Sequence, residues 1–354
     1  MCGIAGILSS SAVEPAMLDT MAQRLAHRGP DGQGRHVAGN VGLLHTRLAV
    51  IDLEGGAQPL YNEDRSLALV ANGEIYNYRE LRAELETLGH RFATHSDCET
   101  LLHGYEAWGM QFVERLQGMF AFALHDMQRG ELILARDRLG IKPLYICHGS
   151  RGLAFASEVK ALLPWLGTPE VNAHGLARFL QSNFTSSPQT LLQGVNKLPP
   201  GHLARIDTRT LQFEQHAYWS PLHVVPLDIG LDDAIERFDA LMHDVMDIHM
   251  RADVPLGLFL SGGVDSSLLA ALLAQRVDEP LRTFSVGFPG TSVHNELDAA
   301  RRAQDLLRRL RRGRRAVRGR ARLRAPRRRR ARHRAPRGAR DHARGRRRAR
   351  PGPR

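Results

Sequence analysis

The sequence predicts two folded regions in tandem: an α+β domain of layered sheets covered by helices, then the opening of an α/β domain on a parallel sheet. Three observations carry this. Short apolar runs bounded by turn residues recur through the first two hundred positions, segments of helical period sit beside them, and residues 256–286 run strand, loop, helix, strand. Ile4–Leu8 is an apolar run bounded by Gly and Ser, as in a buried strand. Leu18, Met21, Ala22 and Leu25 recur at helical spacing until His27–Gly32 breaks the pattern. Val41–His45 and Leu67–Ala71 read as strands. Leu81, Leu85 and Leu88 mark a helix closed by Gly89, and Leu101, Leu102, Tyr105 and Trp108 mark another. Met119–Leu124, Leu132–Ala135 and Leu153–Ala156 are further strands.

A turn-rich stretch from Pro199 to Pro226 reads as a linker, placed at 206–226. Beyond it Ile235, Phe238, Leu241, Met242 and Val245 form an amphipathic helix, and Leu256–Leu260 is a continuous apolar run expected to be a strand buried on both faces. A Ser/Gly turn, a helix over Ser267–Gln275 and a strand at Thr283–Val286 follow, the opening of a parallel α/β domain over 227–305.

Residues 306–354 are expected to be a disordered tail of Arg, Ala, Gly and Pro with no hydrophobic period. Those four residue types have G/C-rich codons, so out-of-frame reading is the expected origin of this tail. Residues 301–354 hold 26 Arg, no Lys and two acids and carry +24, while residues 1–300 hold 23 basic and 35 acidic residues and carry −12; together they give the whole-chain +12. The body is therefore acidic, which excludes a basic nucleic-acid-binding body; only a genuine arginine tail would seek RNA. Three cysteines are too few for a disulfide scaffold and fit a reducing compartment. With no run near ~18 apolar residues and no signal-peptide pattern, the expected location is cytoplasmic, with no membrane partner.

Cys2 is the first chemical candidate. Removal of Met1 would leave a thiol and a free α-amine on one residue, so that the amine can take the thiol proton. Six further patterns follow it in order: His27-Arg28-Gly29-Pro30-Asp31, His45–Val50, Gln58-Pro59-Leu60, Asn72-Gly73-Glu74-Ile75-Tyr76-Asn77, Ser96-Asp97-Cys98-Glu99 and Arg136–Gly140. Together with Met1–Gly6 they resemble the class II glutamine amidotransferase domain, from residue 2 to about 205. The resemblance implies a four-layer αββα fold of the N-terminal-nucleophile hydrolase type. It implies that Cys2 attacks the side-chain amide of glutamine, and that Asn72 and Gly73 hold the oxyanion. Arg47 would clamp the α-carboxylate, Glu74 and Asp97 would take the α-ammonium group, and the backbone of Leu48, Ala49, Val50 and Ile51 would complete the pocket. His27 and His45 are expected to be structural, and Cys98 and Cys147 inert.

The segment Leu260-Ser261-Gly262-Gly263-Val264-Asp265-Ser266-Ser267 lies between a strand and a helix, the context of a phosphate-cradling loop. It resembles the pyrophosphate loop of ATP pyrophosphatases, which implies ATP contacts from Leu260, Ser261, Gly262, Gly263, Asp265 and Ser266, with Val286 and Leu260 flanking the adenine. The two domains in this order resemble the layout of glutamine-hydrolysing asparagine synthetases. That layout implies glutamine, aspartate and ATP as substrates, magnesium with the ATP (its ligands left unassigned), β-aspartyl-AMP as intermediate, and a homodimer as a frequent state. The later Ser-Gly-Glu-Gly-type segment of that family does not occur in the chain, so the synthetase half is expected to be inactive as written. A glutaminase acting alone, an amidotransferase with another acceptor, and an RNA-binding regulator using the tail are the alternative functions.

Overall fold

The computed structural model describes residues 1–149, 151–277, 280–288 and 296–308. The expected tail lies outside the described residues from 309 onward. The chain divides into two compact units, the first Met1–Leu258 with Leu281–Thr283, the second Phe259–Pro280 with the described residues from Phe284.

The first unit is built on two six-stranded sheets. One holds β1 (Gly3–Ser9), β2 (Gly32–Ala38), β3 (Val41–Arg47), β8 (Tyr145–Gly149), β9 (Gly152–Ala156) and β10 (Val195–Lys197), in the order β10-β8-β9-β1-β3-β2. The other holds β4 (Leu60–Tyr61), β5 (Leu67–Ile75), β6 (Gly118–Asp126), β7 (Glu131–Arg136), β11 (His202–Asp207) and β12 (Phe213–Ala217), in the order β12-β11-β7-β6-β5-β4. Neighbouring strands pair antiparallel in both.

Strand alternation sorts the side chains into three cores. Ile4, Leu8, Val41 and Leu43 of the first sheet meet Ala68, Val70, Ala121 and Ala123 of the second between the sheets. Ala5, Ile7 and Leu44 point outward and are covered by α1 (Pro15–Leu25) and α5 (Val159–Leu166), through Leu18, Met21, Leu25 and Leu162. Leu69, Ala71, Phe120 and Phe122 point the other way, under α2 (Tyr78–Thr87) and α3 (Glu99–Trp108), through Leu81, Leu101 and Leu102. Helix, sheet, sheet, helix is the four-layer arrangement expected. The alanines of β5 and β6 fit a narrow space between two sheets, while the large side chains fill the helix-covered faces, where each buried Leu or Phe contributes ~2 kcal/mol.

Several elements escaped the sequence reading. β2 is an edge strand with alternate residues exposed, and its Gly and Arg content reads as a turn. The stretch expected as a linker contains β12, which pairs with β11 along its length and is exposed or half-exposed throughout. An edge strand without an apolar face gives no period-two signal. α4 (Phe112–Arg115), α6 (Ala173–Ser182) and α7 (Leu231–His249) complete the helices of this unit.

The strand expected to be buried on both faces is not: β13 (Gly257–Phe259) forms a two-stranded sheet with β14 (Arg282–Phe284), and Phe259 is 75% exposed. With one partner strand among the described residues, the face that carries Phe259 and Phe284 is exposed, while Leu258 is half-buried and Leu260, just past the strand, is buried. In the second unit α8 (Val264–Leu273) follows the Ser/Gly turn, and residues 297–308 are helical. Among the described residues no helix is long and apolar enough to cross a membrane.

Candidate active site

The site grows out of strand parity. Cys2 shares the inter-sheet side of β1 with Ile4, His45 shares that side of β3 with Leu43, and Asn72 shares it on β5 with Val70. All three line one cavity of about 160 Å³ at one end of the two sheets. Arg47, Leu48, Val50, Ile51, Gly73, Glu74 and Asp97 line it too. Ala49 does not; its N–H is held by Asp31 Oδ2 at 2.9 Å.

The motifs around Cys2 act as a mount. Gly3 is required because a Cβ there would stand 2.6 Å from Thr46 Oγ1. Arg28 Nε donates to the Cys2 carbonyl at 2.9 Å; the Ile4 N–H donates to Ser157 Oγ at 2.9 Å, and the Ser157 N–H donates to the Ile4 carbonyl at 2.8 Å. Gly29 lets the chain pass close to β3, since a Cβ there would stand 2.2 Å from the Thr46 carbonyl carbon. Arg28 in turn pairs with Glu158, whose carboxyl, though partly buried, is brought to about 2 by hydrogen bonds from Arg28, Lys160 and His27. His27 is half-exposed on that same carboxylate and does not line the cavity.

The Cys2 thiol accepts the Leu48 N–H at 3.3 Å. Burial raises its pKa, and the Leu48 N–H, the N-terminal amine and Arg47 act in the opposite direction. Burial lowers the pKa of the terminal amine, carried here by Met1. His45 is buried; its Nε2 bonds the Ala71 carbonyl at 3.1 Å, and burial brings its pKa to about 4. The ring lies between the sheets at the cavity, and its buried Nδ1 has no hydrogen-bond partner.

Two donors face the thiol side of the cavity. Asn72 is 1% exposed, and its Nδ2 has no hydrogen-bond partner. A buried amide without a partner costs ~1–3 kcal/mol, and a ligand oxygen would relieve that cost. Gly73 stands opposite Phe120, whose own N–H and C=O turn away to Asp137. The outward-facing amides of β5 are therefore Ala71, bonded to Gln58 Oε1, Gly73, and Ile75, bonded to Asp97 Oδ2. β4 has ended by Gly73, so its N–H faces the cavity. No side chain fits at Gly73, since a Cβ would lie 2.3 Å from the Met119 carbonyl.

At the other end, Arg47 spans a loop, donating to the Leu53, Ile51 and Asp52 carbonyls. These bonds hold the guanidinium at the cavity wall. Asp97 is buried; burial raises its carboxyl to about 6, the Ile75 N–H opposes this and Glu74 adds to it. Burial likewise raises Glu74, while Lys142 works against it. Two poorly solvated carboxylates beside one another fit a cationic ligand. Cys98 is buried beside Asp97 and also lines the cavity, and burial pushes its thiol far up.

Gln58, Ser96, Met119 and Lys142 also line the cavity; the sequence reading places the first two in motifs and Met119 in a strand, none with a role in the site, and leaves Lys142 unread. Lys142 has a readable signal in retrospect. It follows Arg136–Gly140, where Asp137 accepts four backbone N–H bonds, those of Phe120, Leu139, Ile141 and Lys142, and so folds the turn that delivers it.

In the second unit Gly262 has φ +86, and a Cβ there would stand 2.4 Å from the Ala299 backbone. Ser261 Oγ and Ser266 Oγ are 3.0 Å apart at the head of α8, whose N-cap is Gly263 and whose first turn carries Asp265. Leu260 N–H donates to the Phe284 carbonyl at 2.8 Å. A separate cavity of about 300 Å³ is lined by Phe259, Leu260, Ser261, Ser285, Val286 and Glu296, among others. Leu260, Ser261 and Val286 thus share one cavity, while Gly262, Gly263, Asp265 and Ser266 flank it on the turn and helix.

The fold and the Cys2 cavity are those of a glutamine amidotransferase domain, and that family's model matches residues 1–219; the chain belongs to this family. The asparagine synthase family model matches residues 237–313. Asparagine synthetase [glutamine-hydrolyzing] 1 of Bacillus subtilis is 36% identical over 307 residues, covering 85% of this chain and 48% of that protein. Asparagine synthetase [glutamine-hydrolyzing] of Zea mays is 37% identical over 320 residues, covering 87% and 49%. The chain thus spans about half the length of the curated relatives it matches. Among solved structures, the allosteric regulatory enzyme of purine biosynthesis aligns over 83% of this chain and 67% of that one, at 19% identity and a TM-score of 0.48, a likeness too slight to bear on function.

Proposed function

We propose that the chain hydrolyses glutamine at Cys2 and serves glutamine-dependent asparagine synthesis. The observation that carries the reading is the buried, unpartnered Asn72 Nδ2 in the same cavity as the Cys2 thiol. Removal of Met1 frees the Cys2 α-amine, which takes the thiol proton as sulfur attacks the side-chain amide carbon. Asn72 Nδ2 and the Gly73 N–H receive the oxyanion. The ammonium proton passes to the leaving nitrogen, the carbon–nitrogen bond breaks, and ammonia departs from a γ-glutamyl thioester. Water, deprotonated by the same amine, then releases glutamate. Arg47 orients the α-carboxylate, and Glu74 and Asp97 the α-ammonium group.

The Ser261–Ser267 loop supports ATP as the second substrate, with aspartate as the acceptor activated through β-aspartyl-AMP. Ser261, Asp265 and Ser266 offer the oxygen donors that suit the magnesium accompanying ATP. The domains of this proposal are residues 2–205 for glutamine hydrolysis and 227–305 for nucleotide binding; the cytoplasm is the proposed location. The test is ammonia release from glutamine by the processed chain, with and without ATP and aspartate. Release that is independent of ATP and abolished by Cys2→Ser supports the reading; no release from processed protein contradicts it. Formation of AMP and asparagine in the same assay would show the synthetase half to be active as written.

A further inference from the structure

Two imidazoles and three carboxylates converge beside α3, from buried His103 and Glu99 out to partly exposed Glu63, and none of them lines the Cys2 cavity. His103 Nδ1 lies 2.8 Å from Glu106 Oε2 and 3.8 Å from Glu63 Oε2, and His90 Nδ1 lies 3.5 Å from the same Glu106 oxygen. His103 and Glu106 share one face of α3; Glu63 comes from the turn after β4 and His90 from the loop after α2.

Each carboxylate is held by its other oxygen. Asn62 Nδ2 donates to Glu106 Oε1 at 2.8 Å, and the Arg91 N–H donates to Glu63 Oε1 at 3.0 Å. The inward atoms are thereby aimed at one point. The His103 side chain is 1% exposed, and its Nε2 has no hydrogen-bond partner. It faces Glu99 Oε1 at 3.6 Å, and Glu99 is fixed by the Ala93 and Thr94 N–H groups and the Thr94 hydroxyl.

We propose that Glu63, His90, His103 and Glu106 bind a divalent cation of the zinc type, which ties the β4 turn and the α2–α3 loop to α3. The ligand atoms of Glu63, His90 and His103 lie within 4.8 Å of one another. Three of the six separations, at 2.8, 3.5 and 3.8 Å, lie around the ~3.4 Å between ligand atoms of a tetrahedral zinc with bonds near 2.1 Å. Nitrogen and carboxylate donors suit zinc. With His103 Nδ1 on the metal, its Nε2–H would turn to Glu99, the carboxylate–histidine–metal relay that orients such ligands. Charge points the same way, since Glu63, Glu99 and Glu106 face two imidazoles that are neutral when bound to a metal. Glu63 and His90 are partly exposed, at 46% and 19%, and leave an entry path.

The test uses the full chain, stripped with chelator and titrated with zinc against a chromophoric competitor. One equivalent is expected, weakened at least tenfold in His90→Gln and in Glu63→Gln and unchanged in Cys2→Ser. Zinc at 100 times its Kd is expected to raise Tm by about 5 °C, and this rise should vanish in both ligand variants. Cobalt in place of zinc should show ligand-field bands without a thiolate charge-transfer band. Both variants alter solvent-side residues and leave His103 and Glu99 in place; should one fail to fold, the other carries the test. Absence of stoichiometric binding, binding unchanged in both variants, or binding lost in Cys2→Ser would overturn the proposal.

Discussion

Replacing Asn72 by alanine separates catalysis from stability more cleanly than any other change at the site. The Asn72 side chain is buried and its Nδ2 has no partner, so the fold loses no Nδ2 hydrogen bond with it. Removing a buried, unsatisfied donor returns ~1–3 kcal/mol, which offsets most of the packing lost at a pocket wall. Tm is therefore expected to stay within about 3 °C of the parent. On the proposed mechanism the same nitrogen meets the oxyanion in the transition state, and loss of one such donor costs ~3 kcal/mol, or roughly 150-fold in kcat. KM should change little, because the proposed function assigns ground-state glutamine to Arg47, Glu74 and Asp97. The assay is steady-state glutamate release by processed protein, with thermal melts on the same preparation. A kcat within threefold of the parent, or a fall in kcat that tracks a collapse in Tm, would refute the assignment of Asn72 to the oxyanion.

Other expectations follow from the same geometry. Burial holds the Asp97 carboxyl at about 6, above its ordinary 3.8, so the folded state binds a proton that the unfolded chain has released. Stability should then fall as pH rises from about 4 to 6, the reverse of an ordinary salt-bridged carboxylate. Asp97→Asn should raise Tm at pH 8, where the gap corresponds to ~3 kcal/mol, while raising the KM for glutamine at least tenfold; an unchanged or lower Tm would contradict the burial argument. For the parent enzyme, KM should climb as pH drops below about 6, where Asp97 becomes neutral. Arg47→Lys keeps the charge but not the planar fork, and should raise KM by ~10–100-fold with kcat nearly intact, measurable by glutamine titration. Asp253 accepts the Asp52 N–H at 2.7 Å and donates its own N–H to the Val50 carbonyl at 3.1 Å, bracing the loop that carries Arg47's carbonyl partners. Asp253→Ala should raise KM by about fivefold without moving kcat, as expected for a partly exposed hydrogen bond to a charged group.

How much of this was legible depends on the kind of residue. β1, β3, β5, β6, β7 and β9 were readable because at least one face of each is buried and apolar. β2 and β12 were not, because edge strands carry polar residues and lack an apolar period. The reagents of the site, Cys2, Arg47, Asn72, Gly73, Glu74 and Asp97, stand in recognisable motifs and come together in one cavity. What the motifs do for one another was hidden. Arg28 grips the Cys2 carbonyl and Asp31 the Ala49 N–H, contacts between segments remote in sequence, while Asp137 holds the local turn before Lys142 and ties it to the Phe120 N–H. The cluster around His103 shows the same limit, since Glu63, His90 and Glu106 meet only after α2 and α3 have packed on β5. The exposure of β13 was missed for a different reason: an apolar run reports that a strand can be buried on both faces, and the partners have to be supplied elsewhere.

The most direct test of the central claim is mass spectrometry of the N-terminal peptide after rapid quench of the purified chain with glutamine. The expected result is a peptide that begins at Cys2, free of Met1, with a γ-glutamyl adduct on its sulfur that forms before ammonia accumulates and is absent from Cys2→Ser. Glutamine turnover by a chain that retains Met1, or an adduct on Cys98 or Cys147 in place of Cys2, would contradict it.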